Sequence, residues 1–201
     1  LGVETNGSFS QFITVPDHWV EKLPKYFDSK EMMMIGTSGF TAVKALSKGI
    51  KKILTNKNKP VLVAGGTGNV GMVIINLLLN LGIKIETISS ENNHYVLKKM
   101  GVKKTYSIKK FQKTPNFVLL NEKYSVIFDN LGGDLINFYL RVLIKNGILI
   151  SIGNILGNVS KINEDLLFSY IHPFMQQIVP VFLKTRKIYL FNDQVVVKLP
   201  N

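Results

Sequence analysis

The chain has 201 residues, of which 46% are hydrophobic and 19% are charged, and its formal net charge is +12. This length allows one or two domains with a buried core, and the hydrophobic fraction excludes a disordered chain. The absence of cysteine excludes disulfides, thiolate zinc sites and a cysteine nucleophile. Because His18, His94 and His172 are far apart and show no metal-ligand spacing, we expect no metal site.

The sequence contains neither a membrane-span pattern nor a secretory signal. The longest nearly apolar stretch, residues 70–83, is interrupted by Asn76, Asn80 and two glycines and is too short to cross a bilayer. No charged segment followed by an apolar segment opens the chain, so we expect a cytoplasmic protein with no membrane partner. The first residue is Leu1 and not Met, which a fragment or a trimmed chain would explain, and an upstream signal could have been lost with the missing part.

The excess of positive charge has three interpretations. The lysines occur mostly as singles and pairs, without a run of five and without interleaved aromatic residues. This pattern favours charge spread over solvated faces over a nucleic-acid partner. A third interpretation is that part of the charge attracts a polyphosphate ligand.

Predicted elements change in character along the chain. Residues 9–15 are strand-like, and prolines among the residues that follow indicate turns. Helices are predicted at 30–34 and 41–53, separated by a loop at 35–39. Beyond residue 60, strands (61–64, 83–88, 124–128, 147–152) alternate with helices (70–81, 93–100, 134–142). Such alternation implies crossover connections and a parallel sheet, so the predicted fold class is α/β. A helix at 174–187, kinked or split by Pro180, and a final strand at 194–199 complete the prediction.

A glycine cluster, VLVAGGTGNVG at residues 61–71, lies between the first of these strands and its helix. Residues 66–71 fit the pattern G-x-G-x-x-G. In this pattern Gly66 permits the sharp turn, Gly68 lets a pyrophosphate approach the backbone, and Gly71 lets the helix pack closely on the sheet. Unpaired N–H groups at the helix N-terminus favour an anion. The context predicts a dinucleotide site, and the alternative is a glycine-rich turn without a ligand.

The end of the second strand usually distinguishes the two nicotinamide cofactors. An acidic residue there binds the ribose 2′-OH of NAD, whereas small polar or basic residues leave room for the 2′-phosphate of NADP. This chain has Ser89, Ser90 and Glu91 at that point. The serines favour NADP, although Glu91 would repel the phosphate if it pointed inward. NADPH is therefore the predicted cofactor, and NAD stays an alternative.

Several stretches, in order, resemble the nucleotide domain of zinc-independent medium-chain dehydrogenases/reductases. They are residues 61–71, the strand end at Ser89 and Ser90, FDNLGGD at 128–134 and GILISIGN at 147–154. The stretch MIGTSGFTA at 34–42 narrows the resemblance to the quinone oxidoreductase-like subgroup that includes bacterial acrylyl-CoA reductases. The match runs from about residue 2 to residue 175, and the last strand is similar too.

The resemblance implies a domain organisation. Residues 29–175 would form a Rossmann-type doubly wound parallel sheet, residues 1–28 the trailing edge of a GroES-like β-barrel domain, and residues 176–201 a helix and strand returning towards that domain. The rest of the barrel, one wall of the family's active-site cleft, is expected to be absent. The segment after Pro173 is shorter than the family's, which includes a strand that often pairs two subunits, so a homodimer is an open expectation. Asn69 and Asp193-Gln194 depart from the glycine and Gly-Arg common in the family.

The resemblance also implies which residues form the site, when the family's motifs are matched to this sequence. They lie on the turn formed by the glycine cluster (the glycine turn) and just past the ends of several strands. The turn would bind the pyrophosphate, the two serines would face the adenosine ribose, and the segments after the later strands would line the nucleotide cleft and approach the nicotinamide. Thr37 would hydrogen-bond the cofactor or, alternatively, cap a helix. The predicted cofactor-binding residues are Thr37, Gly66, Thr67, Gly68, Asn69, Val70, Gly71, Ser89, Ser90, Asn130, Gly132, Gly153 and Asn154.

The expected activity is hydride transfer from NADPH to the β-carbon of an activated alkene, with enoyl-CoA thioesters or quinones as small-molecule acceptors. His18 and His172 are poor acid/base candidates, and Asp129 is expected to accept N–H bonds at a turn. We identify no catalytic residue, because the hydride comes from the cofactor itself. Hydride transfer needs reacting carbons about 3–3.5 Å apart in a cleft that excludes water. The alternative is therefore a non-catalytic nucleotide-binding remnant that has lost its catalytic domain.

Overall fold

A computed structural model of the chain describes residues 7–113, 123–153, 188–191 and 194–198. The chain divides into two compact units, Leu1–Gly36 and Thr37–Asn201. Helix α1 spans Ser29–Thr55 and has a non-helical backbone at Gly36, with φ 38° and ψ −148°. The predicted loop at 35–39 is therefore wrong except at Gly36, because the flanking residues keep helical hydrogen bonding.

In the first unit the predicted strand at 9–15 is not formed. The regular element within described residues 7–28 is a 3-10 helix, Asp17–Trp19, and Phe9 and Phe12 are fully or largely exposed. A strand is stabilised by pairing with a neighbour, and this described stretch contains no second strand. The assignment of residues 1–28 to a GroES-like domain stays a prediction.

The second unit contains a seven-stranded sheet in the order β3-β2-β1-β4-β5-β7-β6. Neighbouring strands pair in parallel except β6 and β7, which are antiparallel. The strands are β1 Val61–Ala64, β2 Ile85–Ser89, β3 Lys104–Ser107, β4 Tyr124–Asp129, β5 Leu143–Ser151, β6 Ile188–Phe191 and β7 Gln194–Lys198. Apart from the antiparallel edge, this is the strand order of the Rossmann fold, so the predicted doubly wound parallel sheet is confirmed.

Helices cover both faces of the sheet. They are α2 Asn69–Asn80, α3 His94–Lys99, α4 Ile108–Lys113 and α5 Leu135–Val142, together with the part of α1 beyond residue 36. Strand β1 is fully buried along its length: Leu62 packs in one apolar cluster, and Val61 and Val63 pack in the other. A continuous apolar strand is what a parallel sheet buried on both faces requires.

The sequence predicted most of the described elements to within a few residues but did not predict β3, α4 or β6. Strand β3 has only four residues, and three of the six residues of α4 are lysine, so neither shows a clear apolar period. Strand β5 begins four residues before its predicted start at residue 147, because Lys145 and Asn146 are exposed and interrupt the apolar pattern. Asn154, His172, Pro173 and the predicted helix at 174–187 lie outside the described residues.

Candidate functional site

A cleft of about 750 Å³ lies at the carboxyl ends of the parallel strands. Its walls come from the turn after β1, the end of β2, the residues following β3, β4 and β5, and the part of α1 just beyond Gly36. The lining residues are Thr37, Thr41, Gly65, Thr67, Gly68, Asn69, Val70, Gly71, Ser89, Ser90, Ile108, Asn130, Leu131, Ile152 and Gly153. Open α/β sheets bind their ligands at this edge.

The structure brings ten of the predicted site residues into this one lining. They are Thr37, Thr67, Gly68, Asn69, Val70, Gly71, Ser89, Ser90, Asn130 and Gly153. Gly66 and Gly132 lie outside the lining, and Asn154 lies outside the described residues. Their roles towards a cofactor stay predictions.

The turn after β1 differs in one detail from the predicted arrangement. Gly65, not Gly66, adopts the left-handed conformation, with φ 75°, which side chains other than glycine rarely tolerate. The N–H groups of Gly65 and Gly66 donate to the carbonyl of Ile88 at 2.9 and 3.2 Å. A Cβ at Gly66 would collide with Oγ1 of Thr87, which donates to the carbonyl of Val63 at 2.6 Å. Gly66 is therefore needed for close packing against β2.

The N-terminus of α2 presents free donors to the cleft. The N–H of Met72 makes the first helical hydrogen bond, to the carbonyl of Gly68 at 2.9 Å, so the N–H groups of residues 69–71 precede the helical ladder. Gly68 provides no side-chain cap, and the first turn contains no acidic residue. A Cβ at Gly71 would collide with the carbonyl of Gly65, so α2 packs directly on the turn. This donor set suits an anion.

Polar side chains connect the glycine turn to the residues after β2. Ser89 is almost fully buried, whereas Ser90 is exposed at the cleft. The side-chain amide of Asn93 donates to Oγ of Ser90 at 2.9 Å and to Oγ1 of Thr67 at 3.3 Å. Asn93 was not predicted as a site residue, because its partners are recognisable only once β1 and β2 are adjacent.

Glu91 does not line the main cleft. It borders a smaller pocket of about 300 Å³ together with Ser90, Ser107, Ile108 and Lys109. Its carboxylate lies 3.6 Å from Nζ of Lys110. A hydrogen bond from Ser107 and the charge of Lys110 lower the pKa of Glu91, so the carboxylate is ionised at neutral pH.

Asp129, at the end of β4, is fully buried and supports two walls of the cleft. Its carboxylate accepts the N–H groups of Leu131 at 2.9 Å and Gly132 at 3.0 Å, which confirms the expectation that it accepts N–H bonds at a turn. Its carbonyl accepts the N–H groups of Ile152 at 2.7 Å and Gly153 at 3.2 Å. Burial raises the pKa of Asp129 above its ordinary value. The N–H of Gly132 therefore serves this carboxylate, and its role towards a cofactor stays a prediction.

The segments after β4 and β5 also contact the turn and each other. Nδ2 of Asn130 donates to the carbonyl of Ala64 at 2.9 Å, which fixes the amide beside the end of β1. A Cβ at Gly153 would lie 2.6 Å from the carbonyl oxygen of Asn130, so glycine is required for this approach. These contacts give the cleft walls a defined spacing.

Five lining residues were missed by the sequence prediction, and some carried a usable signal. Thr41 follows Thr37 by four residues, which places both on one face of a helix. Ile152 directly precedes Gly153, and Leu131 directly follows Asn130. The remaining two are Gly65, which precedes the matched motif, and Ile108, which becomes identifiable only with β3 and α4.

The described part of the chain shows neither a cluster of metal ligands nor a helix that could span a membrane. There, no group of three or more His, Cys, Asp or Glu side chains could hold a metal ion. Within the same residues no helix combines the length and apolarity that crossing a bilayer requires.

Comparison with known proteins extends these observations. No family model matches the chain. It is 29% identical over 136 residues to the putative quinone oxidoreductase YhfP of Bacillus subtilis, an alignment covering 66% of this chain and 41% of that protein. It is 30% identical over 132 residues to the acrylyl-CoA reductase AcuI of Ruegeria pomeroyi, covering 65% and 40%. The predicted resemblance to the quinone oxidoreductase and acrylyl-CoA reductase group is confirmed. The chain spans less than half the length of these relatives.

Solved structures agree with this relationship. The yhdH oxidoreductase of Salmonella enterica, in complex with NADP, is 27% identical with a TM-score of 0.60, over 69% of this chain and 43% of that one. The Bacillus subtilis protein yhfP with NAD bound has a TM-score of 0.71 over 100% of this chain and 55% of the other. At 21% identity the second likeness concerns the fold alone.

Proposed function

We propose that the chain forms the dinucleotide-binding part of an NADPH-dependent oxidoreductase of the zinc-independent medium-chain type. The observation that carries this proposal is the cleft at the strand ends, where the glycine turn and the uncapped N-terminus of α2 supply backbone donors. The names of the relatives, a putative quinone oxidoreductase and an acrylyl-CoA reductase, support the reaction class.

The residues of the cleft suit the parts of a dinucleotide. The N–H groups of Asn69 and Val70, at the start of α2, would hold the pyrophosphate. Ser89 and Ser90 would face the adenosine ribose, because Ser89 ends β2 beside the turn and Ser90 directly follows it. Asn130 would line the middle of the cleft. Gly153, and Asn154 after it in the chain, would lie near the nicotinamide.

NADPH supplies the hydride when it is bound, and the chain's own residues would bind and orient it. Thr37 and Thr41 offer hydroxyl groups at the wall of the cleft formed by α1. Leu131 and Ile152 offer apolar surface that keeps water away from a bound ring. Among the described residues that line the cleft, no side chain is an obvious general acid or base.

The proposed acceptor is an activated alkene, either an enoyl-CoA thioester or a quinone-like molecule. The two curated relatives carry these two acceptor types in their names. The net charge of +12 would also favour an acceptor that carries phosphates, such as a CoA thioester. The partner set is then a cofactor and a small-molecule substrate, with a homodimer as the proposed assembly.

The preference for NADPH over NADH rests on the end of β2. Ser89 and Ser90 are small, and Glu91 directs its carboxylate to the smaller pocket, where it pairs with Lys110. A 2′-phosphate beside Ser90 would then meet the exposed hydroxyl of Ser90 and would not face an unpaired carboxylate. The NADP complex of the Salmonella enterica oxidoreductase supports the same preference.

A second candidate is a nucleotide-binding module without turnover. The described residues that line the cleft include no Asp, Glu, His, Lys or Arg, and backbone donors alone suffice for binding.

Calorimetric titration of the full chain with NADPH and NADH tests both candidates. We expect saturable NADPH binding with a weaker NADH isotherm, and absence of heat with both at millimolar concentration would overturn the proposal. Oxidation of NADPH in the presence of acrylyl-CoA or a quinone favours the enzyme. Binding without turnover of either acceptor favours the second candidate.

A further inference from the structure

We propose that Asn93 is a positioning residue that fixes the glycine turn and the end of β2 at a set separation across the mouth of the cleft. This inference rests on the proposed dinucleotide binding and adds a residue that contacts the two walls without lining the cleft itself.

The geometry of Asn93 supports a bridging role. It ends the 3-10 helix Glu91–Asn93, and its N–H donates to the carbonyl of Ser90 at 3.1 Å, which orients the residue. Its Nδ2 then donates to Oγ of Ser90 at 2.9 Å and to Oγ1 of Thr67 at 3.3 Å. A primary amide carries two N–H donors, so both bonds form at the same time.

The two hydroxyl partners belong to different walls of the cleft. Thr67 lies at the tip of the glycine turn, and Ser90 directly follows β2. At the base of the turn the carbonyl of Ile88 already holds the N–H groups of Gly65 and Gly66. The amide of Asn93 adds a hydrogen bond at the tip, so the turn is bonded to the end of β2 at its base and to the residues after β2 at its tip.

This link would act through preorganisation. A dinucleotide that bridges the turn and the β2 end must order the side chains of Thr67 and Ser90. Where Asn93 already orders them, less conformational entropy is lost on binding. Asn93→Ala leaves both hydroxyls without their shared partner, so it should weaken dinucleotide binding. It should lower the stability of the fold only slightly, because the bonds lie near the surface.

The test compares Asn93→Ala with Asn92→Ala, its exposed neighbour in the same 3-10 helix. NADPH titration of the full chain is expected to give about a fivefold weaker affinity for Asn93→Ala and a change of less than about twofold for Asn92→Ala. Denaturant unfolding of both variants is expected to match the wild type. Two double-mutant cycles combine Asn93→Ala with changes at Thr67. Thr67→Ser keeps the hydroxyl, so Asn93→Ala should weaken NADPH affinity as much in this background as in the wild type. Thr67→Ala removes the hydroxyl, so the loss of affinity caused by Asn93→Ala should be smaller.

The outcomes separate this inference from the function on which it rests. Wild-type chain that binds no NADPH overturns the proposed function and the role of Asn93 together. Wild-type binding that Asn93→Ala leaves intact overturns the role of Asn93 alone. Additive losses with Thr67→Ala, accompanied by a matching loss of unfolding free energy, would assign Asn93 a merely structural role and also overturn the inference.

Discussion

The hydroxyl of Tyr139 donates a hydrogen bond to Oδ1 of Asp129 at 3.2 Å, and both side chains are fully buried. The same carboxylate accepts the N–H groups of Leu131 and Gly132. Helix α5 is thereby connected to the segment that lines the cleft after β4. The site thus depends on a buried polar network as well as on the glycine turn.

Tyr139→Phe is predicted to destabilise the chain by about 1–2 kcal/mol, because it removes the hydroxyl donor and leaves a buried carboxylate with fewer partners. Denaturant unfolding measures the effect. Tyr95→Phe is the matched control, because Tyr95 is 72% exposed. Equal unfolding free energies for the two variants would contradict a role for the Tyr139 bond.

The pKa of Asp129 gives a pH dependence. Burial raises this pKa in the folded chain, against the lowering effect of the hydrogen bonds from Gly132, Leu131 and Tyr139. A carboxyl group whose pKa is raised by folding stabilises the folded chain fully when the pH is below the pKa of the unfolded state, about 3.9. This stabilisation is lost as the pH rises through the pKa of the folded state. The unfolding free energy of wild type minus that of Asp129→Asn should therefore fall as pH rises from acid towards neutrality. If the difference in unfolding free energy rose with pH, the pKa of Asp129 would not be raised by folding.

Glu86 is predicted to have the opposite pH dependence. Burial alone would raise its pKa, but hydrogen bonds from Lys123, Tyr124 and Tyr106, together with the charge of Lys123, lower it overall. All three partners donate to the same oxygen, at 2.6, 2.7 and 2.8 Å respectively. The stability from this group is present above about pH 4.3 and is lost as pH falls through the lowered folded pKa.

Glu86→Gln should therefore cost about 2 kcal/mol at pH 7, and the cost should shrink in acid. Unfolding measured at pH 7 and near pH 3 checks this. Glu21→Gln, at an exposed position, is the control. A cost that stays constant over this range would contradict the account.

Two glycines of the turn are predicted to respond differently to alanine. Gly66→Ala should destabilise the fold by several kcal/mol, because its Cβ would collide with Thr87 in the buried sheet. At Gly68 a Cβ would lie 3.4 Å from the carbonyl oxygen of Gly65, and its φ of −72° suits alanine. Gly68→Ala should keep the fold but weaken NADPH binding by about tenfold, since the Cβ occupies the approach to the backbone. Thermal unfolding and calorimetry separate the two effects.

The sequence predicted those parts of the site that depend on local pattern. Strand β1 could be recognised because four apolar residues follow one another. The turn could be recognised because glycines directly follow this strand. The order of motifs then placed Ser90, Asn130 and Gly153 at the same edge of a parallel sheet, where the structure has them.

What the sequence did not predict depends on contacts between distant segments. The left-handed residue of the turn is Gly65, which precedes the matched motif, whereas Gly66 packs against Thr87. The strand-like residues at 9–15 indicated a strand, yet such residues do not supply a pairing partner. Asn93 and Ile108 become site residues only through the register between β1, β2 and β3.

The proposed function depends on the backbone N–H groups at the start of α2, which would hold the phosphates of a dinucleotide. Asn69 is the first residue of the helix, where proline is tolerated. Gly68 before it has φ −72° and ψ 158°, which is compatible with a following proline. Asn69→Pro therefore deletes one N–H donor while preserving the helix, and Asn69→Ala removes the side chain but keeps the donor.

Calorimetric titration of NADPH into these two variants is the most direct measurement. We expect at least about a tenfold weaker affinity for Asn69→Pro and near wild-type affinity for Asn69→Ala, because a hydrogen bond to a charged group contributes about 1.5–3 kcal/mol. Equal affinity for the two variants, with both folded as judged by unfolding free energy, would contradict this expectation.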